Sequence, residues 1–414
     1  MIKYIPLRTL KVSLDFGEEK IPVGRLAIRD GKIYFEYDAS ILGSVWSISP
    51  LKLPLEPGLK TFDPFLFEGL PGVFNDSLPD GWGRLLLDRW LRGKDILPQE
   101  VSPLDRLAYV GATGLGALIY EPDHSERPDD DVIDLNELAA QTRRVLDGEA
   151  RDVLGALIAL NGSSAGARPK ALIGVDQKKQ KIVYGTRELS EGFDRWIVKF
   201  PNTRDGEDAG AVEYVYSLLA KAAGIHLPDT HLFPANVGPG YFATKRFDRV
   251  KNSHLHMHSV SGLLHSDFRS PSLDYETLLN LSAALTGDIR EVEKMFRLAA
   301  FNVLSHNRDD HGKNFSFLMD ASGLWTLSPA YDLTFSSGPN GEQSTMVMGE
   351  GRNPSIADLR RLGAEAPVSE QEVNQIIEQV RDALQLWPNL ASEYGVSKGS
   401  IELVSKRLAV LASD

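Results

Sequence analysis

The strongest constraint on the fold is a change in hydrophobic period along the chain. From Lys3 to about Trp46, apolar and polar residues alternate in short runs such as LKVSLDF and KIYFEYD, which predicts antiparallel strands joined by hairpins. Strand patterns such as RWIVKFPN continue to about residue 250. After Ser259 the period becomes helical, as in DIREVEKMFRLAAFNVL. The sequence therefore predicts an α+β protein that is strand-rich first and helical second.

The length of the chain sets the number of domains. With 414 residues, of which 42% are hydrophobic, it can form two or three domains and bury a sizeable core.

Charge and composition exclude several classes of function. The formal net charge is -12, which argues against nucleic acid as a direct ligand, because such surfaces need clustered Lys and Arg. The chain has no cysteine, so disulfides and thiolate chemistry are excluded. Neither a signal-peptide pattern nor a long apolar run is seen. We therefore expect a cytoplasmic protein without a membrane partner.

The densest group of reactive side chains is the loop Ser305–Asn314, SHNRDDHGKN, between two apolar runs. Asp309 stands five residues before Asn314, and a further acid, Asp332, follows a strand-like segment. A phosphotransferase needs this order, with one carboxylate for the attacking hydroxyl and an amide and a later carboxylate for Mg²⁺. Aspartate-rich loops are also common surface turns, so both interpretations stay open for this loop alone.

Three features upstream suit a nucleotide site. The loop NGSSAGARPK, from Asn161 to Lys170, is rich in small residues that leave backbone N–H groups accessible to phosphate. Lys199 lies near the end of a strand pattern, and Glu213 lies in the following helix, where the two could pair. The alternatives are a flexible surface loop, a solvent-facing lysine and a glutamate favoured by the helix dipole.

Other polar residues have structural explanations. Asp76, Ser77 or Asp80 could cap a helix whose apolar stripe includes Trp82, and packing and capping are favoured over a functional use of Asp80 or Arg84. The alternation in HLHMHS puts His254, His256 and His258 on one face. A zinc site is considered there, but solvent-facing histidines are the simpler interpretation, because one face of one strand rarely closes a coordination sphere.

In chain order these features match a bilobal protein kinase. They are a small-residue loop, a strand lysine, a helix glutamate, a hinge at about Lys245 to Phe247, an Asp-x4-Asn loop and a late aspartate. The predicted fold class is therefore α+β, a bilobal protein-kinase-like fold with a strand-rich N-terminal part and an all-helical C-terminal lobe.

Several strings of the sequence resemble the HipA family of bacterial serine/threonine kinases, the toxins of HipBA-type toxin–antitoxin modules. The strings are GSSAGARPKALI, WIVKFP, EYVYSLLAKAAGIHLPD, KRFDR, DDHGKNFSFL and PAYDL. The first strands and FNDSLPDGWGRLLLDR look like the amino-terminal subdomain of that family. The resemblance thus covers nearly the whole chain, and makes 1–115 the N-terminal subdomain, 116–250 the nucleotide-binding lobe and 251–414 the lobe with the catalytic and metal-binding loops.

The resemblance implies a role for each matching residue. Asp309 would be the catalytic base, with Asp310 a loop-capping or solvent residue, and Asn314 and Asp332 would bind Mg²⁺. The nucleotide-binding and supporting residues implied are Lys199 at the α- and β-phosphates, Ser163, Lys245, Phe247 and His311 at the nucleotide site, and Glu213 in an ion pair with Lys199. Ser163 would be autophosphorylated, with Ser164 as a neighbouring acceptor; Lys245 stands where the family would lead us to expect glutamate.

The function implied is that of an ATP- and Mg²⁺-dependent toxin kinase. Its partner would be a HipB-like helix-turn-helix antitoxin. It would contact operator DNA only through this antitoxin. Its target would be a translation factor such as an aminoacyl-tRNA synthetase. Two alternatives remain: a catalytically silent kinase-fold co-repressor or scaffold, and a small-molecule kinase with the same active-site residues.

Overall fold

The first part of the chain forms an antiparallel five-stranded sheet. The computed structural model describes residues 4–125, 132–148, 154–161, 166, 168–185, 189–202, 205–251, 253–269 and 272–412. The sheet has the order β4-β3-β2-β1-β5. Its strands are β1 Thr9–Asp15, β2 Lys20–Arg29, β3 Lys32–Tyr37, β4 Lys60–Thr61 and β5 Leu118–Glu121. The helices that accompany it are α1 Gly72–Asn75, α2 Gly81–Gly93 and α3 Pro103–Val110.

The N-terminal sheet extends past the expected boundary at residue 115. Strand β5 pairs along β1, with Val12 opposite Tyr120 and Leu14 opposite Leu118. These four side chains are buried in the same core. Residues 118–121 therefore pack with the first part of the chain and not with the second, because pairing with β1 buries their apolar side chains.

A second antiparallel sheet follows, with the order β7-β6-β8-β10-β9. Its strands are β6 Lys170–Asp176, β7 Ile182–Tyr184, β8 Phe193–Lys199, β9 Thr230–Phe233 and β10 Tyr241–Lys245. The helices of this part are α4 Leu135–Leu146, α5 Leu154–Asn161 and α6 Ala209–Ala222. In the register of β6 and β8, Lys170 lies directly opposite Lys199. Residues opposite each other project from the same face of a sheet, so the two lysines are neighbours.

The last part of the chain is mainly helical but includes a three-stranded sheet, β13-β15-β16. Its helices are α7 Val260–Leu264, α8 Tyr275–Thr286, α9 Ile289–Leu304, α10 Ile356–Glu365, α11 Glu370–Leu384, α12 Trp387–Glu393 and α13 Lys398–Ala412. Its strands are β11 Arg249–Val250, β12 Ser253–His254, β13 His256–Ser259, β14 Leu273–Asp274, β15 Ser316–Met319, β16 Trp325–Leu327 and β17 Thr345–Met346. The expectation of an all-helical lobe thus missed these short strands.

Helix α9 positions the polar loop that follows it. The Asp288 carboxylate caps its N-terminus by accepting from the backbone N–H of Arg290 at 2.9 Å. Its apolar face, which includes Met295 and Phe296, is fully buried, so the direction of the helix is fixed by packing. The helix ends at Leu304, and the chain returns as β15 from Ser316. The loop between them is therefore held at both ends.

Within the described residues, the apolar side chains form one large core and two smaller ones. The large core runs from Leu10 and Phe35 in the first sheet to Phe296 in α9. A second core lies against the second sheet and includes Trp82 and Trp196. In the described part of the chain, no helix combines the length and the apolar character needed to cross a bilayer.

The expectation of solvent-facing histidines is wrong for two of the three. His256 and His258 are fully buried. His256 Nε2 lies 2.8 Å from the Ile48 carbonyl oxygen, and His258 lies between the Asp76 carboxylate, at 2.7 Å, and Ser49 Oγ, at 3.0 Å. They are buried because β13 is covered by the N-terminal part of the chain. His254 lies on the separate strand β12.

Candidate active site

One cavity of about 820 Å³ is lined by most of the site residues that the sequence singles out. This volume is within the range usual for small-molecule sites. Its walls come from the loop before β6, from β8 and β10, and from the two loops that flank β15 and β16. The predicted site residues that line it are Lys199, Lys245, Phe247, Asp309, His311, Asn314 and Asp332. The fold thus brings together residues from the second sheet and from the helical part.

Lys199 lies at the centre of a buried charge cluster. Its ammonium donates to Glu213 Oε1 at 2.5 Å and to the carboxylate of Asp332. Glu213 is only 2% exposed, so the alternative of a solvated helix charge does not apply. Burial alone would lower the pKa of Lys199, but the carboxylates of Asp332 and Glu213 raise it above its usual value. Lys199 therefore remains a fixed positive charge at the cavity wall.

Two further cations stand beside Lys199. Lys170, opposite it on β6, is buried, and this burial together with the charge of Lys199 lowers the pKa of Lys170 to about 8. Arg168 contacts Glu213 at 3.3 Å and Asp205 at 3.2 Å. Three cations that line one wall make a site for a polyanion. The sequence pattern placed Arg168 and Lys170 in a candidate phosphate loop, but only the strand register shows that they adjoin Lys199.

The adjacent aspartates 309 and 310 point in different directions. Asp309 lines the cavity, and burial raises its pKa; His311 opposes the shift, but the charge of Asp332 adds to it. Asp310 is fully buried away from the cavity, where its carboxylate accepts from Tyr275 Oη at 2.6 Å and from the backbone N–H groups of Ser344 and Thr345. Asp310 thus caps a loop, as one expectation had it, and is not a solvent residue.

Asn314 and Asp332 present oxygen atoms to the cavity. The amide nitrogen of Asn314 donates to the Asp309 carbonyl oxygen at 2.6 Å, so the amide oxygen is the end of the side chain left for another partner. Asp332 has a positive φ of 59°. Burial opposes its ionisation, but Lys199 and Lys170 hold its pKa well below the usual range. Carboxylate and amide oxygens are ligands that Mg²⁺ accepts, and the pair fits such an ion.

The end of β10 and the segment that follows it also line the cavity. Lys245 pairs with Asp194 at 2.9 Å, and the Phe247 ring lies 5.7 Å from that of Tyr331. Next to them the buried carboxylate of Asp248 accepts from both Arg246 and Arg249 at 2.7 Å. This buried cluster holds the segment rigidly, so Lys245 and Phe247 have defined positions at the cavity.

The structure does not place every predicted site residue in the cavity, and it places there one residue for which the sequence favoured a structural role. Ser163 and Ser164 lie outside the described residues. Asp80 was one of three candidate caps for α2, but its side chain makes no cap and instead lines the cavity, where it meets Lys313 at 2.7 Å. Arg84 does not line the cavity and pairs with Asp88 and Glu68. No spacing in the sequence could have connected residue 80 with residue 313.

Two models of known families match this chain. Residues 16–121 match the model of the HipA N-terminal domain, and residues 162–387 match the model of the HipA-like C-terminal domain. The second match alone covers more than half of the 414 residues.

Curated relatives include proteins named as kinases. "Putative kinase Y4mE" of Sinorhizobium fredii is 26% identical over 392 residues, which cover 86% of this chain and 87% of that protein. The "Serine/threonine-protein kinase toxin HipA" of Shewanella oneidensis is 38% identical over 61 residues, which cover 15% of this chain and 14% of that protein.

A solved structure shares the fold over the whole chain. It is the complex of HipA from Shewanella oneidensis with HipB and operator DNA, to which this chain is similar with a TM-score of 0.69 and 17% identity, covering 98% of this chain and 96% of that one. The match confirms the expected α+β, protein-kinase-like class.

Proposed function

Because the chain belongs to the HipA family, we propose that it is an ATP- and Mg²⁺-dependent serine/threonine protein kinase and the toxin of a toxin–antitoxin module. The observation that supports this most directly is the joint presence of Lys199, paired with Glu213 and Asp332, and Asp309 in one cavity. A protein kinase needs this lysine–glutamate pair together with a metal-binding aspartate and a catalytic aspartate.

The cations of the cavity wall bind the phosphates of ATP. Lys199 takes the α- and β-phosphates, and the neighbouring Lys170 and Arg168 add charge on the same side. Lys199 also donates to the carboxylate of Asp332, so the lysine lies between the proposed phosphate site and the proposed metal ligand. Lys245, Phe247 and His311 line the remainder of the nucleotide site.

Asn314 and Asp332 hold Mg²⁺ in this proposal. Both offer oxygen ligands at the cavity and would hold the ion beside the phosphates. When bound, the ion neutralises charge that develops on the transferred phosphoryl group. Asp332 is already ionised, since the surrounding cations keep its pKa low.

Asp309 receives the proton of the acceptor hydroxyl. The acceptor oxygen forms a bond to the γ-phosphorus, the bond from that phosphorus to the β–γ bridging oxygen breaks, and ADP leaves. A carboxylate whose pKa is raised by burial is a better base than a solvated one. The hydrogen bond from the Asn314 side chain to the main-chain carbonyl oxygen of Asp309 ties the Asn314 amide to the backbone that carries Asp309.

The acceptor is a serine or threonine of a protein, such as an aminoacyl-tRNA synthetase, and also Ser163 or Ser164 of the chain itself. About two negative charges on a loop near ATP would repel its phosphates and switch the enzyme off. The partner is a HipB-like antitoxin, a proposal that the HipA–HipB–operator complex of the structural neighbour supports. With a net charge of -12, contact with DNA is proposed only through the antitoxin.

The test compares phosphoryl transfer by three proteins. Wild type, Asp309→Asn and the control Asp320→Asn are incubated with radiolabelled ATP and Mg²⁺, with and without candidate synthetases, and labelled sites are mapped by mass spectrometry. Asp320 stabilises a turn between β15 and β16 outside the cavity. We expect Asp309→Asn to lower the transfer rate by about 10²- to 10⁴-fold, while ATP binding and the activity of Asp320→Asn are retained.

Three outcomes would contradict parts of the proposal. Near-normal transfer by Asp309→Asn would remove the catalytic role of Asp309 and leave the kinase activity standing. A wild-type protein that labels neither itself nor any protein would contradict the kinase proposal and favour the co-repressor alternative. Transfer to metabolites alone would favour the small-molecule kinase.

A further inference from the structure

The side chain of Asp80 joins three parts of the active site. Asp80 precedes α2 in the N-terminal part of the chain. One of its carboxylate oxygens accepts from Lys313 at 2.7 Å, and the other accepts from the backbone N–H of Gly166. Lys313 belongs to the loop that carries Asp309 and Asn314, and Gly166 belongs to the loop that leads to Arg168 and Lys170.

The contact with Lys313 is a buried ion pair. The side chain of Lys313 is 8% exposed and that of Asp80 15% exposed. Lys313 also lies 4.8 Å from the centre of the Phe268 ring, and its carbonyl oxygen accepts from Tyr331 Oη at 2.7 Å. A buried ion pair of this kind fixes its partners, since separating them leaves an uncompensated charge. Asn314, the next residue, is therefore held by the same contact.

Gly166 is held by a second hydrogen bond, between its backbone and that of Trp82. While Gly166 N–H donates to the Asp80 carboxylate, the Gly166 carbonyl oxygen accepts from the backbone N–H of Trp82 at 3.2 Å. Gly166 has a positive φ of 105°, which favours glycine. Residues at the beginning of α2 thus bind both the backbone N–H and the backbone carbonyl oxygen of Gly166, in the loop that leads to Arg168 and Lys170.

We propose that Asp80 is a positioning residue that sets the distance between the phosphate-binding loop and the catalytic loop, so that the N-terminal part of the chain completes the kinase site. The inference rests on the proposed function and goes beyond it, because Asp80 lies in the part that matches the N-terminal family model. Asp80 lines the cavity, but it acts by holding Lys313 and Gly166 in place. These contacts set the alignment of the reacting groups.

Misalignment of this kind lowers the rate more than it weakens binding. The nucleotide still meets Lys199 and Lys170 when Asp80 is changed, because both stand on paired strands of the second sheet. A small displacement of reacting groups can cost about 10²-fold in rate. The inference therefore predicts a fall in kcat with little change in the KM for ATP.

The experiment uses the full chain with Asp80→Asn, Lys313→Met, the double variant and the matched control Asp88→Asn. Asp88 lies on the same helix, pairs with Arg84 and does not line the cavity. We expect Asp80→Asn and Lys313→Met each to lower kcat by about 10- to 100-fold, and the double variant to be no worse than the more impaired single one. The melting temperature and kcat of Asp88→Asn stay at the wild-type values.

Hydrogen exchange separates positioning from general destabilisation. Asp80→Asn should speed exchange in the segments around Gly166 and Lys313, with exchange in α9 and α11 unchanged. The conservative variant Asp80→Glu keeps the charge and should recover part of kcat. If Asp80→Asn does not fold, Lys313→Met is the test variant. For Lys313→Met we expect a lowered kcat, faster hydrogen exchange near residue 313 and unchanged hydrogen exchange near Gly166.

The outcomes distinguish this inference from the proposed function. An active wild type whose kcat is unchanged by Asp80→Asn, or by Lys313→Met where that variant carries the test, would overturn only the role of Asp80. Losses that multiply in the double variant would also overturn it, because the two residues would then act independently. A wild type without phosphoryl transfer would overturn the kinase proposal first.

Discussion

His256 is a buried titratable residue that lies outside the candidate site. It is fully buried between the Ile48 carbonyl oxygen, at 2.8 Å, and the ring of Trp325, 5.6 Å away. Burial, helped by the neighbouring His258, lowers the pKa of His256 from 6.5 to about 3. The folded protein therefore keeps this imidazole neutral at pH values where an unfolded chain would protonate it.

This makes the free energy of unfolding depend on pH. Between pH 6.5 and about 3 the unfolded state binds one more proton at this residue than the folded state. Its contribution to stability is thus fully present above pH 6.5 and is lost as the pH falls, by about 1.4 kcal/mol per unit. The measurement is the free energy of unfolding in urea at pH 7.5, 6 and 5. As the pH falls, we expect this free energy to decrease less for His256→Gln than for wild type, with a difference of about 1.4 kcal/mol per pH unit.

The glutamine amide can still donate to the Ile48 carbonyl oxygen, so the variant removes mainly the titration. His254 and His265, whose pKa values are also lowered to about 4 by burial, remain in both proteins and cancel in the comparison. Parallel pH profiles for wild type and His256→Gln would contradict the prediction.

At the scale of elements, helices α1 and α7 approach each other through two glycines. A Cβ added at Gly72 would lie 2.2 Å from the carbonyl oxygen of Gly262 and 2.7 Å from its Cα. This close approach places Asp76, which follows α1, within 2.7 Å of both His258 and the backbone N–H of Ser259. The absence of side chains therefore decides how the N-terminal part docks on the rest of the chain.

Gly72→Ala is expected to destabilise the protein. The added methyl group meets backbone atoms that cannot move independently, and overpacking of this kind costs about 1–3 kcal/mol. Thermal and urea unfolding measure the effect. Gly93→Ala is the control, because Gly93 ends α2 and a Cβ there meets nothing within 4 Å; it should be neutral or stabilising by up to about 1 kcal/mol. Equal effects of the two changes would show that α1 and α7 can separate at no cost.

At the scale of the whole molecule, we expect the N-terminal sheet and the helical part to unfold as one cooperative unit. They share the large core and are joined by polar contacts as well. Gly116 N–H donates to Asp248 at 2.8 Å, His254 N–H to the Phe16 carbonyl oxygen at 3.1 Å, and Trp46 Nε1 to the Ala321 carbonyl oxygen at 2.8 Å. Separating the two parts would expose apolar surface and buried charge together.

Native-state hydrogen exchange tests whether the N-terminal sheet and the helical part unfold together. The slowest amides of β2 and of α9 should exchange with the same free energy, to within about 1 kcal/mol, because both open only on global unfolding. Amides of the exposed turn at Asp30 and Gly31 serve as an internal reference for exchange without unfolding. Exchange of β2 at a free energy several kcal/mol below that of α9 would show that the N-terminal part unfolds on its own.

Local patterns were sufficient for much of the fold and for the identity of the polar residues. Alternation predicted β1, β2 and β3, and the helical period predicted α6 and α9, because these elements bury one face each. The motif order led to Lys199, Asp309, Asn314 and Asp332, all of which line one cavity. The roles assigned to them remain proposals that the experiments above address.

What the sequence by itself determined is which residues carry the charge and which segments become strands or helices, because both depend on neighbours along the chain. Tertiary structure alone decided that Asp80 meets Lys313, that Lys170 stands opposite Lys199, and that His256 and His258 are buried. The reason is physical. Burial and ion pairing depend on residues that are distant in sequence, whose approach is set by strand register and by the packing of one core against another.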